Sequence, residues 1–383
     1  MTIFFRMLRV LLLVALAAAK DLPRQIHVTL DGPTALTVVW TTHGHADSTV
    51  RYGRWPNRPV NIAYGESPGE SYSTPDGYRS GYVHQVTLYD LEPGQLYTYS
   101  CGDDAHGLSL ERAVRVPGGT AFTVVGDMGA TRDTAATLAS MLLDRADVAL
   151  IVGDLSYANG DQARWDAWGD LTEPLFATQP VMMLPGNHDL EDESGLLAYR
   201  IRYPSPGPCY AFRLGLATIV MVDAYAGLLD TGSQYNWLAS TLETVDRRVT
   251  PWLVVALHVP LYSSNQLHHT ETERARAVLE PLLVFAKVDL VLSGHVHAYE
   301  RTHPVQRARR KDGAPVYVTV GTGGNAEGRS GDWLIQPAWS ASRMPVFGHG
   351  RFEAANATHA RWEFRANWDA GATDAVWLEH DPV

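Results

Sequence analysis

Five short motifs, each placed directly after an apolar run, dominate the second two-thirds of the chain. They are GDMG (126–129), GDLSY (153–157), GNHD (186–189), VALH (255–258) and GHVH (294–297). Apolar runs without alternation are typical of strands covered on both faces, as in parallel sheets flanked by helices. Loops beyond the carboxyl ends of such strands gather at one edge of the sheet. The motifs therefore predict a single shared site.

The five motifs supply seven candidate metal ligands. These are Asp127, Asp154, Tyr157, Asn187, His258, His295 and His297. Oxygen and imidazole donors without thiolate favour iron, zinc or manganese. A tyrosine has an ordinary pKa of about 10, so a bound phenolate favours a strongly Lewis-acidic ion such as ferric iron. One motif alone indicates only a turn or a buried histidine, but five in this order indicate a two-metal site bridged by one carboxylate.

The first part of the chain has a different sequence pattern. Residues 25–116 show short alternating segments separated by turn signals, which predicts an antiparallel β-sandwich. The predicted strands are Ile26–Leu30, Leu36–Trp40, Tyr82–Leu88, Leu96–Ser100 and Leu110–Val114. The segment 91–97 resembles the tyrosine corner of fibronectin type III domains, in which the tyrosine hydroxyl bonds back to nearby backbone. The five histidines of this part have no ligand-like spacing. They are His27, His43, His45, His84 and His106.

The second part predicts an α/β/α layered domain, because its apolar runs alternate with helix-like segments. The runs are 122–125, 148–152, 181–184, 218–222, 253–257, 290–292 and 316–320, and the helical segments are 134–143, 234–242 and 274–285. We expect a β-sandwich domain over 20–117 and the layered domain over 118–383. The chain has 383 residues and a net charge of −11. That charge, without an extended basic tract, argues against nucleic-acid binding.

Residues 1–19 predict a secretory signal peptide. Arg6 and Arg9 precede a short apolar stretch, and 17–19 are alanines that suit cleavage before Lys20. We therefore expect secretion and no membrane attachment after cleavage; an uncleaved anchor is less favoured because the stretch is short. Secretion would make Asn356 a glycosylation site and would permit a disulfide. Whether Cys101 and Cys209 pair is left open.

The motif set resembles that of the purple acid phosphatases, in their larger two-domain form, within the calcineurin-like metallophosphoesterases. Five further segments are similar to that family: 82–86, 251–252, 299–301, 321–325 and 347–349. The resemblance implies a ferric ion held by Asp127, Asp154, Tyr157 and His297. It implies a divalent ion, zinc, iron or manganese, held by Asp154, Asn187, His258 and His295. Asp154 would bridge the two.

The resemblance also implies two histidines that act on the substrate rather than on a metal. His188 follows the asparagine ligand directly. His268 lies ten residues after His258, with Glu271 three residues further on, and a one-residue shift of that loop would substitute His269. At acid pH these histidines would stabilise phosphoryl oxygens and protonate the leaving group.

The implied function is a secreted acid phosphatase that hydrolyses small phosphate monoesters by attack of a metal-bound hydroxide. A phosphodiesterase, a phytase or a nucleotide-preferring hydrolase could use the same site. A non-enzymatic protein with the sandwich as a binding module is a rival of another class, and the complete ligand set argues against it. The loops 158–166, 189–208 and 262–272, which would set specificity, carry no substrate signature, and no oligomeric state is predicted.

Overall fold

The structure is a computed structural model that describes residues 22–57, 59–191, 195–204, 206–225, 232–269, 271–369 and 371–380. The predicted signal peptide lies outside the described residues. The chain divides into two compact units. The first runs through Val116 and also takes in 172–180 and 200–203; the second comprises 117–171, 181–199 and 204–383. Within the described ranges, none of the helices has the length and apolar character needed to span a bilayer.

The first unit contains two antiparallel sheets, in agreement with the predicted β-sandwich. Its strands are β1 (Arg24–Leu30), β2 (Leu36–Thr42), β3 (Thr49–Arg54), β4 (Asn61–Tyr64), β5 (Tyr82–Leu88), β6 (Leu96–Asp103), β7 (Gly107–Leu108) and β8 (Arg112–Arg115). One sheet has the order β1-β2-β5; the other has the order β4-β3-β6-β7, with β8 also paired to β6. The Tyr97 hydroxyl accepts a hydrogen bond from Glu92 N (3.2 Å), which confirms the predicted tyrosine corner.

One predicted strand of this unit begins too early. The segment expected to start at Leu110 becomes strand only at Arg112. Leu110 is 77% exposed, and its carbonyl accepts a hydrogen bond from the Ser109 hydroxyl (3.0 Å). The apolar side chain that suggested a strand therefore lies in the turn before it. Both cysteine thiols, Cys101 here and Cys209 in the second unit, are free.

The second unit holds the remaining elements. Its strands are β9 (Ala121–Val125), β10 (Val148–Val152), β11 (Val181–Leu184), β12 (Cys209–Leu214), β13 (Ala217–Val222), β14 (Trp252–Leu257), β15 (Leu290–Ser293), β16 (Tyr299–Thr302), β17 (Val305–Gln306), β18 (Arg309–Arg310), β19 (Val316–Val320), β20 (Ser340–Met344), β21 (Gly348–Ala354), β22 (His359–Ala366) and β23 (Asp374–Glu379). The helices are α1 (Arg132–Asp144), α2 (Ala163–Phe176), α3 (Leu197–Arg202), α4 (Ser233–Glu243) and α5 (Thr272–Phe285), with a 3₁₀ turn at Asn187–Asp189. Part of α2 and part of α3 fall in the segments grouped with the first unit.

Two mixed sheets form the centre of the second unit. The six-stranded sheet has the order β11-β10-β9-β21-β22-β23, and the seven-stranded sheet has the order β12-β13-β14-β15-β19-β16-β20. The motif-bearing strands β9, β10 and β11 pair in parallel in the first, and β14 and β15 do so in the second. These strands are buried along their whole length, as their unbroken apolar sequences predicted.

Helices cover the seven-stranded sheet by burying one apolar stripe. Leu238 and Leu242 of α4 and Leu279 and Leu283 of α5 lie in one core cluster with β14 residues such as Val255. Their spacing of four residues places each pair on one helix face. The layered arrangement expected from the sequence is therefore present.

Candidate metal centre

The predicted ligands lie just beyond the carboxyl ends of strands from both sheets. Three follow β9, β10 and β11, and two follow β14 and β15. These five are Asp127, Asp154, Asn187, His258 and His295. The two sheets meet at this edge, where Gly126 N donates to Val320 O (2.9 Å). The ligands therefore converge from two sheets on one place.

Backbone strain is concentrated at these residues. Four of the seven predicted ligands have left-handed φ angles: Asp127 (61°), Asp154 (53°), Tyr157 (55°) and His295 (67°). None is glycine, and such a conformation costs about 1–3 kcal/mol per residue. Strain of this kind persists where the surrounding structure enforces it, commonly at functional sites. Here all four of these residues are predicted ligands.

Asp127, Tyr157 and His297 form the first of two ligand groups. The Tyr157 hydroxyl lies 3.0 Å from His297 Nε2 and 3.3 Å from Asp127 Oδ1. His297 Nε2 and Asp127 Oδ1 are 3.4 Å apart. Three possible ligand atoms of different chemistry thus lie within 3.4 Å of one another.

Asp154, Asn187, His258 and His295 form the second group. His258 Nε2 lies 3.1 Å from Asp154 Oδ2 and 3.2 Å from Asn187 Oδ1. His295 Nδ1 lies 3.0 Å from Asn187 Oδ1. Each imidazole is held by its other nitrogen: His258 Nδ1 donates to the Val152 carbonyl (2.8 Å), and His295 Nε2 lies 2.9 Å from Glu271 Oε2. Such contacts fix the ring orientation of metal-ligating histidines.

Three glycines leave room for these side chains. A Cβ at Gly186 would overlap Asp154 Oδ1, one at Gly153 would overlap His258 Nδ1, and one at Gly294 would lie 2.5 Å from Asp127 Oδ2. A glycine can also serve a sharp turn of the backbone that needs a left-handed φ. Only Gly153 has the positive φ that such a role requires (91°). Gly186 and Gly294 instead permit close approach of a ligand.

The centre contains two buried carboxylates. Asp127 and Asp154 are 0% and 1% exposed, and among the described residues their ion-pair partners are histidines. Burial opposes the charge on Asp154, but His258 lowers its pKa below the ordinary value; Asp154 in turn raises the pKa of His258 against the effect of burial. Burial, reinforced by Asp127 and Asp154, raises the pKa of Tyr157. A phenolate here needs additional positive charge, so the donors fit bound metal cations.

His188 and His268 flank the ligands. The His188 ring stacks on Tyr157 with ring centroids 4.3 Å apart, and its Nδ1 lies 2.7 Å from Asn159 Oδ1. The His268 ring lies 4.8 Å from that of His295, and its Nδ1 lies 3.2 Å from Glu271 Oε2.

The neighbouring His269 turns its Nδ1 toward the Gln266 carbonyl (3.0 Å). Of the two adjacent histidines, His268 is therefore the one that lies beside the ligand groups, as His188 does.

The sequence did not assign three further residues of the site. Tyr225 donates its hydroxyl to Asn187 Oδ1 (3.1 Å), and Glu327 lies 3.7 Å from His188 Nε2. Both lie in irregular loops, where no pattern marks them. Asp189 accepts hydrogen bonds from Gly186 N (2.8 Å) and Leu155 N (3.0 Å), and burial raises its pKa to about 7. Its place in the GNHD motif was the available signal.

Three family models match consecutive parts of the chain. The purple acid phosphatase N-terminal domain covers residues 23–115, the calcineurin-like phosphoesterase covers 120–299, and the iron/zinc purple acid phosphatase-like protein C covers 314–375. Purple acid phosphatase 18 of Arabidopsis thaliana is 36% identical, over 94% of this chain and 85% of the relative. The chain belongs to the purple acid phosphatase family.

Two further comparisons agree with this membership. The Fe(3+)-Zn(2+) purple acid phosphatase 12 of Arabidopsis thaliana is 34% identical over 93% of this chain and 84% of the relative. The fold of the purple acid phosphatase PPD1 from yellow lupin matches with a TM-score of 0.85 over 94% of this chain and 75% of that one, at 22% identity. The comparisons confirm the predicted family, the predicted fold class and the prediction that the chain is a metal-dependent phosphatase.

Proposed function

We propose that the chain is a secreted acid phosphatase that hydrolyses small phosphate monoesters at an Fe(III)–M(II) centre. The observation that carries the proposal is the convergence of two ligand groups, one of which contains Tyr157 between Asp127 and His297. A tyrosine donor favours ferric iron, and one relative is named for an Fe(3+)-Zn(2+) pair.

In this proposal the seven residues divide between two ions. Asp127, Asp154, Tyr157 and His297 hold the ferric ion, and Asp154, Asn187, His258 and His295 hold zinc, iron or manganese. Asp154 would bridge the two ions. Its place beyond β10 supports this, because β10 lies between β9, which leads to Asp127, and β11, which leads to Asn187. Bound ions would supply Lewis acidity and lower the pKa of a coordinated water.

The histidines supply the remaining chemistry. Glu271 orients His268 through Nδ1, which leaves Nε2 to donate to a phosphoryl or leaving-group oxygen. Asn159 orients His188 in the same way. In their imidazolium forms, both would stabilise negative charge on the phosphoryl group, and His268 would give a proton to the departing alcohol.

Secretion rests on the sequence of residues 1–19, and a surface feature accords with it. Asn356 lies in the turn between β21 and β22, where its Oδ1 accepts hydrogen bonds from Thr358 N (2.9 Å) and His359 N (2.9 Å). An exposed turn is accessible to a glycosyltransferase. Sequencing the amino terminus of the protein from culture medium tests both cleavage and export; a retained Met1 or a purely cell-associated protein contradicts the proposal.

The enzymatic proposal is tested by activity toward a panel of esters. Metal-quantified protein is assayed against an aryl phosphate, a bis-aryl diester, phytate and a nucleotide between pH 4 and 8. We expect the monoester to be hydrolysed fastest, with an acid optimum. Faster hydrolysis of the diester would change the reaction class, and fully loaded protein without turnover would contradict the function.

A further inference from the structure

Glu300 is a buried carboxylate that lies outside the proposed ligand set. It belongs to β16, is 3% exposed, and accepts three hydrogen bonds. The donors are Ser264 N (2.8 Å), the Ser264 hydroxyl (2.6 Å) and the Ser340 hydroxyl (2.7 Å). A carboxylate taken out of water is costly unless such bonds compensate it. Two of its three bonds hold one residue, Ser264.

Ser264 begins the segment that leads to His268. The main chain of this segment runs beside residues 330–334: Leu334 N donates to Ser264 O (2.9 Å) and Gln266 N to Asp332 O (2.8 Å). Arg343 donates to the Ser264 hydroxyl (2.9 Å). Ser264 is therefore fixed on its main-chain nitrogen, its carbonyl and its hydroxyl.

The facing segment is itself joined to the metal centre. Ser330 N donates to the carbonyl of His297 (2.9 Å), and Asn265 Nδ2 donates to Ser330 O (3.3 Å). The position of the loop is thus defined relative to a proposed ligand. Ser264 lies only four residues before His268, so its position limits where the loop can place the His268 ring.

We propose that Glu300 is a positioning residue, which acts through Ser264 to set the place of His268 beside the metal centre. The inference rests on the proposed role of His268. Misplacement of a catalytic group by about 1 Å costs about a hundredfold in rate. A contact that sets the position of His268 therefore has a kinetic effect even though Glu300 is not itself a proposed ligand.

The test is a double-mutant cycle between Glu300→Gln and His268→Ala in metal-loaded protein. Glutamine keeps the shape, but its amide group cannot accept all three hydrogen bonds. We expect Glu300→Gln alone to lower kcat/KM about tenfold to a hundredfold with both metals retained. In the His268→Ala background the same change should cost less than about twofold, because its effect passes through the missing ring. Additive effects would overturn the proposal.

Binding of inorganic phosphate gives a second readout that does not require turnover. Glu300→Gln should weaken phosphate binding severalfold in the parent and leave it unchanged in His268→Ala. A parent protein that turns over no ester contradicts the proposed function alone, since the phosphate cycle still decides the role of Glu300. Equal weakening in both backgrounds would overturn the positioning role.

Two further variants separate positioning from folding. Asp289→Asn is the matched control: this carboxylate is also largely buried, accepts from Leu253 N (2.7 Å) and pairs with Arg247 (2.6 Å), but it precedes the amino end of β15. It should lower stability and leave kcat/KM within about twofold. If Glu300→Gln does not fold, Ser264→Ala takes its place, because it keeps the carboxylate and the main-chain hydrogen bond. It should show a smaller coupling of the same sign with His268→Ala in kcat/KM. Absence of that coupling would contradict the proposal.

Discussion

At the residue scale, Tyr157 distinguishes this centre from a plain two-metal site. Burial and neighbouring carboxylates raise the pKa of its hydroxyl, so only a strongly charged cation would hold it as phenolate. We predict that the iron-loaded protein is coloured through phenolate-to-iron charge transfer and that Tyr157→Phe bleaches it. The visible spectrum, taken with iron content and circular dichroism, checks this. Wild-type protein with full iron and no visible band would contradict the assignment.

His268 and His269 provide a matched pair in the same loop. The first lies beside His295 and is oriented by Glu271, whereas the second directs Nδ1 to a main-chain carbonyl. We predict that His268→Ala lowers kcat by about 10²–10⁴ with both metals bound, as expected for loss of a general acid. His269→Ala should stay near the parent. The reverse pattern in steady-state kinetics would show that the loop is displaced by one residue.

At the element scale, the strand end at Gly186 depends on glycine for space rather than for a left-handed φ. A Cβ at Gly186 would overlap both the carboxylate and the main-chain nitrogen of Asp154. We predict that Gly186→Ala displaces Asp154, reduces metal content below that of the parent and lowers stability by about 1–3 kcal/mol. Metal analysis and urea unfolding measure the two effects.

Gly331→Ala is the control for this substitution. Its Cβ would meet Pro345 at 3.5 Å, an ordinary contact, and its φ is not left-handed. Metal content and stability should match the parent. If both glycine variants retain full metal content, close packing of the strand ends is not needed for the site.

The strands that carry the ligands were predictable because full burial leaves an unbroken apolar sequence, as in β10 and β14. The strand β20 was not predicted, since most of its residues are only partly buried and it mixes a charged residue with apolar ones. The strand β22 was overlooked although its sequence alternates: its fully buried residues, Ala360, Trp362, Phe364 and Ala366, are separated by charged ones. The helix α2 was also overlooked; it begins inside the loop 158–166 that we expected to shape specificity. Contacts such as Tyr225 with Asn187 depend on tertiary proximity, which spacing along the chain does not encode.

At the scale of the whole molecule, acid conditions act on the first unit as well as on the centre. Burial lowers the pKa of His27 to about 4, although a hydrogen bond to the Gln25 carbonyl raises it. Burial also lowers the pKa of His84 to about 4. The unfolded histidines titrate near 6.5. Both rings contribute stability that is present above pH 6.5 and is lost as the pH falls to about 4, because only the unfolded state takes up protons in that window.

We therefore predict that the free energy of unfolding falls between pH 6.5 and 4 by up to about 1.4 kcal/mol per pH unit for each histidine. His27→Gln should reduce this slope while leaving metal content and turnover near the parent. Urea unfolding of both proteins across the window checks it, and comparison of variant with parent cancels the effect of metal loss in acid. Identical slopes would show that His27 does not titrate as its burial implies.

We propose that seven residues form one centre for two metal ions, with Asp154 shared. Metal stoichiometry in purified, metal-loaded protein tests it most directly. We predict two ions per chain in the parent, loss from both positions in Asp154→Asn, and loss of mainly the divalent ion in His258→Ala. A parent that binds one ion per chain, or an Asp154→Asn variant that loses only one of two, would contradict it.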